Sequence, residues 1–309
     1  MIRLTHGPTP LHPLERVGDA LGIELWCKRD DLTGFGLGGN KVRKLDHLLT
    51  DAVERGCRRV VTCGGVQSNH ARATAVACRM LGLEPVLLLR GEPPEVPDGN
   101  LLLDQLLGAE LHFVDQDGYD DRRRRMEELA GPRGYVIDEG GSNGLGALGF
   151  VDARAELERQ AVAHRVRFDT ILVAVGSGGT LAGLAAGDGP ARTVGVCVCD
   201  DAPTFHAIVE RIDGELRPLG HAVGRYELVE GFQGPGYGLT TPEQLAAMAR
   251  LARREGVLTD PTYTGKAWWA LEQLAAEGRL GERVCFWHTG GVFGWFGRGE
   301  LLSGITPEA

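Results

Sequence analysis

Short apolar runs that end near glycine and lead into helical stretches recur along this chain. That alternation constrains the fold more than any other feature. Arg59 to Cys63 runs into Gly64-Gly65, and a helical stretch follows from Asn69 to Leu81. Pro85 to Leu89, Glu110 to Val114, Tyr135 to Ile137, Thr170 to Val175, Thr193 to Cys199 and Val284 to Trp287 read as further strands. Helical patterns cover Leu101 to Leu107, Asp121 to Ala130, Phe150 to Val166, Leu181 onward, Pro242 to Glu255 with Thr241 as N-cap, and Thr264 to Glu277. Strands of about four to seven residues alternating with helices make βαβ units and mostly parallel sheets. Their near-continuous apolar character predicts sheets covered on both faces. No internal repeat or low-complexity linker appears, so two intertwined domains without a flexible tether are expected for 309 residues.

Composition narrows the function classes. The net charge of -9 disfavours a nucleic-acid surface. The one basic run, Arg122 to Arg125, lies between acidic pairs and reads as the solvated face of a helix. Apolar runs are too short to span a bilayer, and the opening residues lack a charged-then-apolar leader, so a cytoplasmic protein is expected. The seven cysteines include no CxxC pair, and the histidines show no HExxH spacing, so no disulfide framework and no metal site are expected. There are 46 glycines, roughly twice the usual share. Of 33 basic residues only four are lysine, namely Lys28, Lys41, Lys44 and Lys266.

In open α/β sheets ligands bind at the carboxyl ends of strands, so the loops there are the candidates. Gly176-Ser177-Gly178-Gly179-Thr180 follows a strand and opens a helix. It is either a phosphate cradle or a tight turn with no ligand. It is neither a dinucleotide GxGxxG nor a Walker loop. Gln67-Ser68-Asn69-His70 places a hydroxyl, an amide and an imidazole at a helix start, to grip a carboxylate and a planar ring or simply to cap the helix. Gly38-Gly39-Asn40-Lys41 delivers a lysine to the start of another helix, with Lys44 one turn later. The helix dipole, Arg43 and Lys44 would favour a neutral Lys41 amine, as Schiff-base chemistry requires. Both lysines could also be ordinary surface residues, but a chain that otherwise uses arginine for charge makes that less economical. A fourth loop, His288-Thr289-Gly290-Gly291, follows the last strand.

Together these motifs resemble the fold-type II pyridoxal-phosphate (PLP) enzymes, and within them the D-cysteine desulfhydrase and 1-aminocyclopropane-1-carboxylate deaminase family. The resemblance runs from Thr9-Pro10-Leu11 to Gly290-Gly291. It is strongest at Lys28-Arg29-Asp30-Asp31, Gly38 to Leu45 and Gln67 to His70. It implies an α/β fold of two open, mostly parallel twisted sheets flanked by helices, like the tryptophan synthase β chain. Residues 1–45 and 150–309 would form a large PLP-binding domain, and 46–149 a small one. It implies that Lys41 carries PLP as a Schiff base, that Gly176, Ser177, Gly178, Gly179 and Thr180 hold the phosphate with help from Lys44, and that Asn69 bonds the ring 3′ oxygen. Ser68, Asn69, His70 and Thr264 would bind substrate, with Ser68, Tyr237 and Tyr263 joining Lys41 in catalysis. A homodimer acting on a small amino acid is implied too.

Two positions bear on the branch. The deaminases carry Glu and Leu where this chain has Thr264 and Thr289, which is the desulfhydrase pattern. A carboxylate near the pyridine nitrogen keeps it protonated and strengthens the electron sink, whereas Thr289 would meet it with a hydroxyl. Opening a cyclopropane should need the stronger sink, and β-elimination of thiolate less. D-Cysteine conversion to pyruvate, sulfide and ammonia is therefore the expected activity. Cysteate, β-chloroalanine, serine, the cyclopropane amino acid or PLP binding without catalysis are the alternatives. The chain departs from bacterial desulfhydrases at Val292 to Phe296, where Phe293 and Trp295 are expected to alter the substrate pocket or the dimer contact. Trp268-Trp269 is expected to serve helix packing.

Overall fold

The computed structural model describes residues 1–304. Among them, ten strands form two sheets. The strands are β1 (Leu11–Pro13), β2 (Glu24–Arg29), β3 (Arg59–Gly65), β4 (Glu84–Arg90), β5 (Glu110–Val114), β6 (Gly134–Val136), β7 (Thr170–Val175), β8 (Arg192–Cys197), β9 (Tyr226–Val229) and β10 (Arg283–His288). The larger sheet has the order β1-β2-β10-β7-β8-β9, and the smaller β5-β4-β3-β6. Every pairing is parallel except β1 with β2.

Strand β7 shows why the sheets are buried on both faces. All six of its residues are buried. Ile171, Val173 and Val175 face one apolar cluster, with Phe150, Leu157 and Phe205 from the helices Gly144–His164 and Ala202–Leu216. Leu172 and Ala174 face the opposite cluster, with Leu251, Trp268 and Leu271 from Pro242–Glu255 and Thr264–Ala276. Each large apolar side chain so covered contributes about 1.5–3 kcal/mol. In the smaller sheet, β4 splits likewise, with Val86 and Leu88 on one side and Leu87 and Leu89 on the other.

The strands and helices expected in the middle and C-terminal parts of the chain are present, several with shifted ends. Helix Pro242–Glu255 carries a full capping box on Thr241. The sequence pattern did not disclose β1, β2, β9 or the helices Glu15–Leu21 and Ala202–Leu216. Strand β1 is only three residues long, and Pro203 and polar residues interrupt the apolar pattern of Ala202–Leu216. Trp268 and Trp269 pack as expected, Trp268 against Phe286 and Trp269 against Phe232. Among the described residues no helix is long and apolar enough to cross a membrane.

Parallel strands send their carboxyl ends the same way. The residues after β3, β7, β8 and β10 and at the end of β4 line one cavity of about 300 Å³ between the sheets.

Candidate active site

The loop after β7 builds the floor of this cavity. Gly178 has φ +76°, a left-handed conformation that favours glycine. A Cβ on Gly179 would lie 2.8 Å from both Lys44 Nζ and Ser142 Oγ, so the backbone must be bare there. The Gly179 amide donates to Ser142 Oγ, while those of Ser177, Gly178, Thr180 and Leu181 have no bond among the described residues. These amides lie at the start of helix Gly179–Ala186, whose dipole adds positive potential. Asn40 Nδ2 donates to Thr180 Oγ1 at 2.9 Å and ties the loop to the residue before Lys41.

Lys41 opens helix Lys41–Glu54 and lines the cavity without a hydrogen bond among the described residues. Burial lowers its pKa to about 8, against the partial opposition of the Glu139 carboxylate. Arg43 plays no part in this: its guanidinium turns away to Asp30 at 2.8 Å and Glu156 at 3.0 Å. Lys44 does not line the cavity. It is wholly buried behind Gly179 and donates to Gly140 O at 3.0 Å and Ser142 Oγ at 2.9 Å. Burial, then the Lys41 charge, lower its pKa strongly.

The loop after β3 supplies the opposite wall. Ser68 Oγ caps helix Asn69–Met80 through the Ala71 amide at 3.2 Å and also lines the cavity. This serine thus both caps the helix and faces the cavity. Gly64 makes room for it, since a Cβ there would fall 2.4 Å from Ser68 Oγ. Asn69 Oδ1 accepts from Asn100 Nδ2 at 3.1 Å, which leaves its NH₂ toward the cavity as a donor. His70 is buried with Nε2 2.9 Å from Thr62 Oγ1. That hydroxyl donates to Ile137 O, so the imidazole donates to it. Burial, then Lys41 and Lys44, push the His70 pKa down, so the ring is neutral.

Two tyrosines close the cavity. Tyr263 Oη donates to Tyr237 Oη at 3.0 Å, with the rings edge to face at 6.0 Å. Tyr263 lies over Gly176, where a Cβ would approach its ring to 2.6 Å, and Tyr237 lies beside Gly65. Burial raises both phenols above their ordinary value. Thr289 lines the cavity. Thr264 does not: it is buried, and its hydroxyl donates to Asp260 Oδ1 at 2.6 Å. Asp260 also accepts from the Thr262, Tyr263 and Thr264 amides at 3.0, 3.0 and 2.7 Å, so Thr264 shapes the turn that presents Tyr263. Phe293 and Trp295 also stay out of the cavity. Phe293 lies under the Arg72 guanidinium, and Trp295 Nε1 donates to Thr259 O at 2.6 Å.

Comparison with known proteins decides the family. A model described as pyridoxal-phosphate dependent enzyme matches residues 2–290. The chain belongs to the pyridoxal-phosphate dependent enzyme family. It is 42% identical to a Thermotoga maritima protein provisionally named 1-aminocyclopropane-1-carboxylate deaminase, over 97% of this chain and 99% of that one. It is 40% identical to the D-cysteine desulfhydrase of Yersinia enterocolitica, over 94% and 93% of the two chains. A crystal structure of an ACC deaminase homologue superposes with a TM-score of 0.92 at 40% identity, covering 98% of this chain and 96% of that one.

The donor set fits PLP. The free amides of the Gly176–Thr180 loop match a phosphate dianion, and an unbonded Lys41 amine matches an aldehyde. The Asn69 NH₂ and the Thr289 hydroxyl offer partners for the polar atoms of a planar ring. Sequence patterns missed Asn40, Ser142 and Asn100, which hold these groups, and the rim of Arg90, Tyr119, Arg122 and Glu139. Arg122 departs from the solvated face expected for its run. It stacks at 5.0 Å on Tyr119 and pairs with Glu139 at 3.4 Å, while Arg123 and Arg124 do form exposed ion pairs. Nothing local in the sequence marks Arg122 out from its neighbours.

Proposed function

We propose that this protein is a PLP-dependent lyase that eliminates the β-substituent of a small amino acid. D-Cysteine and water would give pyruvate, sulfide and ammonia. The observation that carries this reading is the convergence of Lys41, the Gly176–Thr180 loop, Ser68 and the Tyr237–Tyr263 hydroxyl pair on one cavity. Bound there, PLP supplies an electron sink for the substrate α-carbon. Lys41 would hold the cofactor, and its free amine, with a pKa near 8, would take the α-proton of the substrate. The amides of Ser177, Gly178, Thr180 and Leu181 hold the phosphate, and Lys44 supports their loop from behind through Ser142. Ser68, at the start of helix Asn69–Met80, orients the substrate carboxylate, and neutral His70 packs beside it. Tyr237 and Tyr263 keep their protons at neutral pH and donate one to the departing sulfur.

The choice of D-cysteine rests on Thr289, which would offer the pyridine nitrogen only a hydroxyl, on Thr264 where the deaminases carry Glu, and on the desulfhydrase among the relatives. The deaminase names among the relatives support the alternative, 1-aminocyclopropane-1-carboxylate. Both compounds are offered to the PLP-loaded enzyme. Sulfide and pyruvate from D-cysteine are expected. 2-Oxobutyrate from the cyclopropane amino acid without sulfide from D-cysteine would overturn the substrate assignment. Borohydride reduction followed by peptide mapping is expected to place the cofactor on Lys41, and an adduct on another lysine would overturn that role. The proposal includes a cytoplasmic homodimer, to be checked by light scattering and cell fractionation.

A further inference from the structure

We propose that Lys266 is a positioning residue whose ammonium acts as a tethered monovalent cation in a cage of backbone carbonyls. It thereby fixes the Tyr237 loop against the helix that carries Tyr263. Lys266 Nζ donates to Val198 O at 3.1 Å, Gln233 O at 2.6 Å and Gly236 O at 2.9 Å. The three carbonyls come from two separate segments, the residue just past β8 and the loop just before Tyr237.

Three features make this an unusual place for a lysine. The side chain is wholly buried. It sits in the first turn of helix Thr264–Ala276, where the dipole opposes a positive charge. Among the described residues no carboxylate lies within ion-pair distance of it. Helix stability and ion pairing therefore do not account for it. What it gains is the three carbonyl dipoles, which replace its hydration as carbonyl rings do for potassium. In return the loop gains rigidity that its sequence does not provide. Gly234, Gly236 and Gly238 all have positive φ, and Tyr237 itself is 40% exposed. The neighbouring carbonyls are strapped as well, Phe232 O by Gln244 Nε2 at 3.0 Å and Gly238 O by Arg298. Lys266 is the only one of these straps rooted in the helix that begins just after Tyr263, so it sets the Tyr237–Tyr263 contact of 3.0 Å.

The inference rests on the proposed part of Tyr237 in the reaction. Lys266→Ala and Lys266→Met are prepared as PLP-loaded enzymes, beside Tyr237→Phe. They are assayed in potassium and in lithium chloride at equal ionic strength, about 0.1 M, so that general screening is the same. In lithium the alanine variant is expected to lose about 100-fold in kcat through misplacement of Tyr237, and potassium restores about tenfold or more. The methionine variant, whose side chain fills the gap, stays slow in both salts. Potassium also raises the melting temperature of the alanine variant, but not of wild type or Lys266→Met, by about 2 °C or more relative to lithium.

Undiminished kcat in both lysine variants, or a loss and a melting temperature in Lys266→Ala that are the same in potassium and lithium, would overturn the cage. If the alanine variant does not fold in lithium, its refolding yield is compared in the two salts, and equal yields count against the proposal. Full activity in Tyr237→Phe would instead sink the role of that hydroxyl, and the melting comparison then decides separately whether Lys266 fills a cation cage.

Discussion

At the scale of single residues, the site is governed by burial. An exposed lysine amine keeps its proton to about 10.5, whereas Lys41 releases it at about 8 because it sits in the cavity wall. Only the neutral amine attacks an aldehyde. Uptake of PLP by the apoenzyme, followed by absorbance, is therefore expected to rise through pH 8 and level off above it. A rise that continues toward pH 10.5 would contradict the burial of Lys41. Gly179→Ala is a second residue-scale test, because its Cβ would press on Lys44 Nζ and Ser142 Oγ at 2.8 Å. A strain of about 1–3 kcal/mol weakens PLP binding by roughly 5- to 150-fold, measurable by cofactor titration. Lys41 and the glycine loop could be read from the sequence because turn chemistry is local. The inward aim of Arg122 and the retreat of Thr264 from the cavity could not. Each depends on a partner set by the fold, Glu139 and Tyr119 for one and Asp260 for the other.

At the scale of elements, Lys28-Arg29-Asp30-Asp31 stood out in the sequence by resemblance alone, and the structure supplies its physical content. Asp30 accepts from Arg43 and from Trp287 Nε1 at 2.8 Å, joining the turn after β2, the Lys41 helix and strand β10. Lys28 and Arg43 both reach Glu156 on helix Gly144–His164. Lys41 lies two residues from Arg43, so this network fixes the helix that carries it. Burial pushes the Glu156 carboxyl up, but Arg43 and Lys28 outweigh it and hold the pKa at about 2. The stabilisation is thus complete above the ordinary value of 4.5 and fades as pH falls toward 2. Glu156→Gln leaves Lys28 without its carboxylate, while Arg43 keeps Asp30, and is expected to cost about 3–5 kcal/mol at neutral pH in urea unfolding. It should also flatten the acid-induced loss expected of wild type between those pH values. A variant as stable as wild type at pH 7 would show the network to be dispensable. The strand β7 was legible from sequence because it is one unbroken apolar run ending at glycine, whereas a polar network drawn from four distant segments leaves no local run to read.

At the scale of the whole molecule, the parallel topology aims the ends of both sheets at one cavity, and residues from each supply its walls. PLP held there would meet the loops after β7 and β10 in one sheet and after β3 in the other, and would act as a clasp between them. Removing it is expected to lower the melting temperature, and adding it back should raise the midpoint with concentration as linkage requires, about 2.7 kcal/mol at one hundred times Kd. Proteolysis of the apoenzyme should speed up at the same time. A melting temperature indifferent to PLP would mean that the sheets hold their spacing without it. The parallel α/β class was readable from alternation alone, but the order β1-β2-β10-β7-β8-β9 was not, because β2 and β10 pair across more than 250 intervening positions of chain.

The four lysines have a practical consequence. Lys28, Lys44 and Lys266 are wholly buried, and Lys41 is reachable only through the cavity. The outer surface carries its positive charge on arginine. An amine-selective ester small enough to enter the cavity has one internal lysine to acylate in the folded, PLP-free enzyme. A lysine-specific protease finds no accessible bond until the fold opens. Site labelling and global unfolding can therefore be followed by the same side-chain chemistry, the first as modification of Lys41 alone among the lysines and the second as the sudden appearance of the other three.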